Sequence, residues 1–289
     1  MKKKIISVIV GVAGLAAAYF VVSGISHIVY NHPVDNAATE STAETTEQGT
    51  EEAKAAMTED EINEMLAGMK ATETAETATE EQSEVIPVKF EELQAVNPDI
   101  YAWITVPGTV IDYPILQHAS DNTYYLMHNI DGSYGYPGCV YTENMNSKDF
   151  TDNNTVIYGH NMKNGSMFAQ LHKFEDPDFF NENREVLIYL PDEVLHYTIF
   201  AAHIYDDRHL LYSFDFTDPE VYQKYLDSIF STRDMSANID KDITVTTDDQ
   251  IITLVTCIGS QPNNRLLVQA VLTDREPGAE AAQSAVATE

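Results

Sequence analysis

The chain has 289 residues, of which 46 are acidic and 16 basic, so its formal net charge is -30 at pH 7. This excess of acid excludes a broad nucleic-acid-binding surface and argues against tight adhesion to anionic lipid. We therefore predict no nucleic-acid partner, and the composition is typical of a solvated, exported protein. The length allows one or two domains, so the composition along the chain decides how much of it folds.

The first segment, Met1 to Tyr30, has the pattern of a membrane anchor. Lys2-Lys3-Lys4 precede an apolar run from Ile5 through Val22, and small or weakly polar residues continue it to Ile28. The length of this run is close to the ~20 residues needed to cross a bilayer. The positive-inside rule then places the amino terminus in the cytoplasm and the rest of the chain outside. A cleaved secretory signal ending near Ala16-Ala17-Ala18 is the alternative, but the apolar run continues past these residues. Either interpretation exports the chain, and we predict a single-pass membrane protein.

Residues 31–84 form an acidic linker of Thr, Glu and Ala with almost no aromatic residues. Such a segment cannot bury enough apolar surface to offset its ordering entropy, so we predict a disordered spacer. Within this linker, the residues Thr58 to Glu61 have the pattern of a helix N-cap, and the apolar residues that follow have helical spacing. This pattern predicts a short helix, which we interpret as a transient helix in the linker. The tail, residues 276–289, has a similar composition and is also predicted to be disordered.

Residues 85–275 are expected to form one folded domain, because short β-branched and aromatic runs alternate there with turn residues. So many strands with hairpin-length gaps predict a mainly β fold, either a closed barrel or a sandwich. The predicted strands are Tyr101–Val106, Val110–Leu116, Gly138–Thr142, Asn154–Tyr158, Glu185–Leu190, Leu195–Ile204, Asp242–Thr246, Ile251–Thr256 and Arg265–Leu272.

Helices are predicted between some of these strands. Val88 to Val96 should form one ahead of Asn97-Pro98, and Ser166 to Lys173 a second, short one. The clearest runs from Asp218 to Ser231, with an N-cap, a proline at the first position and apolar residues at spacings of three and four. We interpret this helix as a packing element rather than a ligand site.

The two cysteines, Cys139 and Cys257, are compatible with one disulfide or with two free thiols in an exported chain. Cys139 lies in a short strand-like run, where a small buried thiol is the ordinary expectation. Nothing in the spacing resembles a zinc site or a Cys-x-x-Cys redox pair, so no metal is predicted.

Side chains able to carry chemistry lie where predicted strands meet loops. Cys257 ends an apolar run and precedes the predicted loop Ile258–Asn264. We expect the buried strand to hold the thiol rigidly and the loop to leave it accessible to a substrate. His160 follows Gly159 at another strand end, where an imidazole is able to pass a proton to a leaving amine. Arg265 opens the last strand, and its guanidinium is suited to stabilise an oxyanion.

Each of these three residues also has an ordinary structural explanation. Cys257 fits a buried core thiol, His160 a hydrogen-bonded surface histidine and Arg265 an arginine paired with an acid. Their occurrence together at strand ends of one domain, which otherwise has few basic residues, favours the chemical interpretation.

The same residues carry a resemblance to a known family. Thr253-Leu254-Val255-Thr256-Cys257 resembles the Thr-Leu-x-Thr-Cys signature of sortases, and Arg265 matches the arginine that follows this cysteine at the start of the last strand. Tyr158-Gly159-His160-Asn161-Met162, with Gly165-Ser166-Met167-Phe168, is similar to the histidine segment of class B sortases.

The resemblance covers about Phe90 to Asp274 and includes the helix from Asp218 to Ser231, which lies where class B sortases insert one. It implies a closed eight-stranded β-barrel with an N-terminal helix and an inserted helix between the sixth and seventh strands. No cofactor is implied, and the sequence shows no calcium loop.

The resemblance also implies a two-step acyl transfer on the outside of a bacterial cell. The Cys257 thiolate would attack a backbone carbonyl in a C-terminal sorting signal of an exported protein, with Arg265 as oxyanion stabiliser and His160 as acid and base. An amine of a peptidoglycan precursor would then resolve the thioester and attach the protein to the cell wall. Tyr158 and Thr256 are predicted to line the substrate cleft.

Two other functions stay open at this point. A pilin-polymerising sortase would use a lysine side chain of another subunit as the second nucleophile. A non-catalytic, membrane-tethered binding module would carry Cys257 as an inert core thiol. A papain-like peptidase is disfavoured, because those enzymes place the cysteine before the histidine in the chain.

Overall fold

A computed structural model of the protein describes residues 57–70 and 86–278. The predicted membrane anchor, Met1 to Tyr30, lies outside these residues, as do most of the predicted linker and of the C-terminal tail. Within the described residues, no helix is long and apolar enough to span a bilayer. The anchor and the domain boundaries therefore stay predictions.

The chain divides into two units. One consists of Met1–Lys54 and Asp207–His209, and only the short bend Asp207–His209 belongs to the described residues. The other consists of Ala55–Asp206 and Leu210–Glu289, and it contains all the strands and helices described below.

Strands rich in β-branched and aromatic residues form one sheet, as these residue types favour. In chain order they are β1 Ile100–Thr105, β2 Asp112–Leu116, β3 Val140–Thr142, β4 Asn154–Tyr158, β5 Glu185–Tyr189, β6 Glu193–Asp206, β7 Asn238–Ile239, β8 Ile251–Ile258 and β9 Gln261–Pro277.

Eight of these strands close into a barrel. Their order around it is β5-β1-β2-β3-β4-β8-β9-β6, and β5 also pairs with β6, so the two ends of the sheet meet. The remaining strand, β7, pairs with β6 outside this ring. The predicted closed eight-stranded barrel is thus confirmed.

Apolar side chains that alternate along the strands fill the barrel. Ile252 and Leu254 on β8, with Leu266 and Val268 on β9, belong to the core cluster. Because successive side chains of a strand point to opposite faces, the odd-numbered residues of both segments, including Cys257, lie on the outer face. The register of these two strands therefore decides which side chains surround the thiol.

Helices precede the first strand and lie between several of the later ones. Their bounds are α1 Glu59–Met69, α2 Phe90–Val96, α3 Pro177–Glu182, α4 Leu210–Ser213 and α5 Pro219–Phe230, with 3₁₀ helices at Tyr124–Leu126 and Phe168–Glu175. The predictions of an N-terminal helix and of a helix inserted between the sixth and seventh barrel strands are confirmed by α2 and α5. The segment predicted as a helix from Ser166 is a 3₁₀ helix that begins two residues later.

One predicted strand is wrong. The segment Asp242–Thr246 pairs with no strand, and the short β7 precedes it. The N–H of Asp242 donates to the carboxylate of Asp240 at 2.9 Å, and the N–H of Thr246 donates to the carboxylate of Asp249 at 2.7 Å. Side-chain acceptors therefore take the backbone donors that a sheet ladder would need.

Helix α1 is held against the barrel by apolar and polar contacts. Ile62 and Leu66 are buried, and they line a cavity of about 30 Å³ together with Cys139 and other residues of the barrel wall. Beyond its last turn, the Lys70 ammonium forms an ion pair with Asp112 at 2.7 Å. The sequence predicts a transient helix, whereas in the structure this helix packs on the barrel. The linker sequence alone does not show that the barrel offers a surface for the apolar side chains of the helix.

We expect Leu66→Ala to make α1 detach more often and so to uncover Cys139. Truncating a buried leucine costs about 2 kcal/mol or more. Since about 1.4 kcal/mol corresponds to a factor of ten, alkylation of Cys139 by iodoacetamide should become about 30-fold faster, as followed by peptide mass spectrometry. Glu64→Ala, on the exposed face of the helix, is the matched control and should leave the rate unchanged. A Leu66→Ala rate equal to the wild-type rate would mean that α1 does not protect this thiol.

Candidate active site

The pairing of β4, β8 and β9 brings the three predicted catalytic residues into one row. β4 runs parallel to β8 with Tyr158 opposite Val255, and β8 runs antiparallel to β9 with Cys257 opposite Arg265. β4 ends at Tyr158, but the Gly159 N–H still donates to the Val255 carbonyl at 3.1 Å, so the chain stays alongside β8 and brings His160 level with Cys257. Neighbouring strands are about 4.8 Å apart, so the three side chains lie on adjacent positions of one surface.

Cys257 lies at an irregularity of the β8–β9 hairpin. β8 continues to Ile258, and a turn of only Gly259 and Ser260 leads directly into β9. The cross-strand partner jumps from Arg265 for Cys257 to Gln261 for the next residue, so three residues of β9 bulge out. The loop predicted after Cys257 is therefore mostly an extension of β9, and the thiol is solvent-exposed beside this bulge.

The two cysteines differ in environment. Both are free thiols, so the alternative of a disulfide between them is not realised. Cys139 is buried, and this burial raises the pKa of its thiol, which keeps it protonated and unreactive at neutral pH. The exposed Cys257 is the cysteine available to a substrate.

His160 is held in place by close packing at its neighbour Gly159 and by a hydrogen bond to a backbone carbonyl. The ring of Phe168 packs against Gly159, where a Cβ atom would lie only 2.5 Å from Phe168 Cγ, so glycine is required next to the histidine. The Nε2–H of His160 donates to the Leu126 carbonyl at 2.7 Å, because a carbonyl oxygen only accepts. Nδ1 is thereby left as the proton acceptor of the neutral ring.

Burial sets the charge of this imidazole. Desolvation lowers the pKa of His160 below its ordinary value, and the hydrogen bond to the Leu126 carbonyl offsets this effect only in part. A neutral His160 at physiological pH is able to take a proton from a thiol, as a general base must.

The carbonyl that binds His160 is itself held in place by a glycine. Gly138 has a φ of +67°, and a Cβ atom there would lie 2.7 Å from the Tyr125 oxygen and 2.8 Å from the Leu126 oxygen. A side chain at this position would push the carbonyl away from the histidine. Sequence reasoning did not assign this role to Leu126 or Gly138.

Arg265 is a buried, rigidly held cation. Its side chain is only 5% exposed, and Nη1 donates to the carbonyls of Pro262 and Asn264, each at 2.8 Å. Both acceptors belong to the bulge of β9, so the bulge fixes the guanidinium in the position opposite Cys257. A permanently charged donor so placed is suited to stabilise negative charge on a bound carbonyl oxygen.

The residues predicted to line the cleft differ in position. Tyr158 lies on the same face as Cys257, although it is largely buried and its ring stacks on Tyr141 at 5.4 Å. Thr256 is buried on the opposite face of β8, and its hydroxyl donates to the Gly159 carbonyl at 2.9 Å. We therefore correct the assignment of Thr256, because alternation along the strand turns it away from the thiol and it ties β8 to the histidine segment instead.

Further side chains near the thiol were missed by sequence reasoning. The carbonyl of Cys257 lies 2.9 Å from Asn161 Nδ2 and 3.1 Å from His172 Nε2, and His172 Nδ1 lies 2.8 Å from a Glu175 carboxylate oxygen. Tyr136, which is 47% exposed, places its ring 5.3 Å from that of His160. Only Asn161 had a signal, since it directly follows the histidine of the motif.

Metal binding is not indicated in this region. Among the residues that the structure describes, no group of three or more His, Cys, Asp and Glu side chains is placed to hold a metal ion. The arrangement is that of a nucleophile, a proton acceptor and a cation, which together suit acyl transfer.

Comparison with known sequences indicates a single family. The family model for the sortase domain matches residues 104–273. Sortase B of Listeria monocytogenes serovar 1/2a is 32% identical over 215 residues, which cover 73% of this chain and 85% of that protein.

Solved structures agree with this result. The X-ray structure of sortase B from Clostridium perfringens matches with a TM-score of 0.59 and 34% identity, covering 64% of this chain and 100% of that one. The crystal structure of a class B sortase from Streptococcus pyogenes, described as involved in pilus biogenesis, matches with a TM-score of 0.56 and 30% identity, covering 64% of this chain and 98% of that one.

These matches favour an enzyme over the alternative of a non-catalytic binding module. The family model spans most of the barrel and includes His160, Cys257 and Arg265. The chain belongs to the sortase family, and within it to the class B sortases, which makes it a cysteine transpeptidase.

Proposed function

We propose that this sortase cleaves a sorting signal near the C-terminus of exported proteins and joins the new end to an amine of a peptidoglycan precursor. The observation that supports the proposal is the placement of Arg265 opposite Cys257 on paired strands, with His160 just beyond the end of the neighbouring strand β4. A thiol, a proton acceptor and a fixed cation are the groups that acyl transfer through a thioester needs.

In the first half-reaction, the Cys257 thiol gives its proton to Nδ1 of His160, and the sulfur bonds to the carbonyl carbon of the scissile amide. The electron pair of the C=O bond moves onto oxygen, where the Arg265 guanidinium stabilises the oxyanion. When the oxyanion collapses, the C–N bond breaks and the His160 imidazolium gives its proton to the leaving amine. A thioester on Cys257 and a released C-terminal fragment remain.

In the second half-reaction, an incoming amine attacks the thioester carbon. His160, again neutral, takes the proton of the attacking amine, and Arg265 again stabilises the oxyanion. The C–S bond then breaks, and the sulfur recovers the proton from His160, so the enzyme returns to its starting state. Splitting one amide exchange into two acyl transfers is the benefit of the covalent nucleophile.

A pilin-polymerising function is the second candidate. The matched class B sortase from Streptococcus pyogenes, described as involved in pilus biogenesis, supports it. The chemistry on the enzyme would be the same, and only the amine would differ, since a lysine side chain of a protein subunit would resolve the thioester.

We expect the protein to cleave selected members of a library of C-terminal sorting peptides, and Cys257→Ala to lower the rate at least about 10³-fold through loss of the nucleophile. Mass spectrometry of the peptides measures the cleavage, and Cys139→Ala is the matched control that should stay active. If the Cys257→Ala variant cleaves as fast as wild type, the proposed mechanism fails.

The same assay separates the two acceptors. A stem peptide of peptidoglycan with a free amine and a protein-derived peptide with a free lysine are supplied at equal concentration. Faster transfer to the stem peptide supports cell-wall attachment, and faster transfer to the lysine peptide supports pilin polymerisation.

We expect the acid limb of kcat/KM to lie below the ordinary histidine pKa of about 6.5. Burial lowers the pKa of His160, so the neutral base predominates at pH 6.5 and above and is lost as the pH falls through the lowered pKa. His203→Gln is the control, because burial also lowers the pKa of His203, which lies outside the row. An acid limb at or above pH 6.5 in the wild type would contradict the assignment of His160 as the base.

We also propose that residues 1–30 anchor the enzyme in the cell membrane with the catalytic domain outside, a proposal that depends on the lysines and the apolar run of this segment. Full-length protein should fractionate with membranes and be digested by protease added to intact protoplasts, whereas a chain that begins at Asn31 should be soluble. Amino-terminal sequencing that finds the mature chain starting after Ala18 would contradict the anchor in favour of a cleaved signal.

A further inference from the structure

We propose that Glu175, His172 and Asn161 form a hydrogen-bond relay that positions the Cys257 carbonyl, and with it the nucleophile, for acyl transfer. The inference rests on the proposed function, in which Cys257 is the nucleophile. The three side chains touch the backbone of the nucleophile and not the reacting atoms, so they are positioning residues.

The relay stands where the sheet ladder ends. Just beyond the end of β4, the Gly159 N–H donates to the Val255 carbonyl of β8 at 3.1 Å. Carbonyls two residues apart on a strand point the same way, so the Cys257 carbonyl also faces the β4 side. At this position the segment after His160 no longer pairs with β8, because Asn161 instead forms an isolated β-bridge with Met167.

Side chains supply the donors that the backbone no longer offers. Asn161 Nδ2 lies 2.9 Å from the Cys257 oxygen, and His172 Nε2 lies 3.1 Å from it. The same Asn161 nitrogen lies 3.0 Å from His172 Nε2, and His172 Nδ1 lies 2.8 Å from Glu175 Oε2. An ionised carboxylate at one end and a carbonyl at the other are both acceptors.

These contacts fix the direction of each hydrogen bond. The Glu175 carboxylate only accepts, so His172 carries its proton on Nδ1 and, when neutral, presents Nε2 as an acceptor. Nε2 then accepts one amide N–H of Asn161, and the second amide N–H donates to the Cys257 carbonyl. When His172 is protonated, its Nε2–H donates to the carbonyl directly, so in both states the carbonyl has a donor.

The local helix type explains why the first two members of the relay face each other. His172 and Glu175 belong to the 3₁₀ helix Phe168–Glu175, in which residues three apart lie on the same side. The ordinary reading, a surface ion pair, accounts for the contact between these two residues. It does not account for the amide and imidazole nitrogens that converge on the carbonyl of Cys257.

The expected consequence concerns rate more than substrate affinity. A fixed carbonyl fixes the peptide plane that follows Cys257 and so the direction of its side chain. A nucleophile displaced by about 1 Å from its productive position costs up to about 100-fold in rate. Removing the relay should therefore lower kcat while KM for the peptide changes little.

A double-mutant cycle on the full-length protein tests the relay. Asn161→Ala should lower kcat about tenfold with KM within about twofold, and Glu175→Gln should lower kcat about threefold. Because Glu175 acts on the carbonyl only through His172, and by way of Asn161 when this imidazole is neutral, the double variant should be faster than the product of the two single effects predicts. The substrate is the best-cleaved library peptide, and thermal unfolding confirms that each variant is folded. Glu182→Gln, an exposed carboxylate on α3, is the charge-matched control and should keep the wild-type rate.

Alkylation of Cys257 by iodoacetamide provides the same cycle without a substrate, and it should slow in the same variants. If the single effects multiply in the double variant, or if Asn161→Ala leaves both rates within about twofold of wild type, the relay is overturned. If no peptide is cleaved by the wild type but the alkylation cycle is non-additive, the proposed function fails while the relay stands. Asn161→Ser replaces Asn161→Ala should the latter not fold.

Discussion

The parallel pairing of β4 with β8 is the constraint on which the site depends. Antiparallel pairing places Arg265 opposite Cys257 within a single hairpin. His160 instead follows a strand about a hundred residues earlier, and it comes beside Cys257 only because Tyr158 is in register with Val255. A shift of one residue between β4 and β8 would turn the imidazole to the other face of the sheet. The closed barrel stabilises this register, since both strands are paired along each edge.

Much of this arrangement could be predicted from the sequence. The strand that ends at Tyr158 was predicted with its observed bounds, because a β-branched run stops at a glycine and a polar loop. The sequence also predicts one strand that ends just before Cys257 and another that begins at Arg265, and the structure adds that the two strands pair. The register between β4 and β8 could not be predicted without the family resemblance, because the contacts that set it join residues as far apart as Gly159 and Thr256, 97 positions away.

Other features depend on contacts that leave no pattern in the chain. The Asp242–Thr246 segment has β-branched residues suited to a strand, yet neighbouring aspartates capture its backbone donors. The apolar spacing of α1 predicted a helix, whereas its packing on the barrel depends on a surface formed by distant residues. His172 and Glu175 face each other only because their segment is a 3₁₀ helix, a distinction that periodicity over so few residues does not make.

The separation of the two thiols has a consequence when Cys257 is oxidised. An exposed cysteine that meets peroxide forms a sulfenic acid, which many redox proteins rescue through a nearby resolving thiol. The sole other sulfhydryl of this protein, Cys139, is buried in the barrel wall under α1. An oxidised Cys257 therefore finds no reductant within its own chain, and recovery of the enzyme depends on a thiol carried by another molecule.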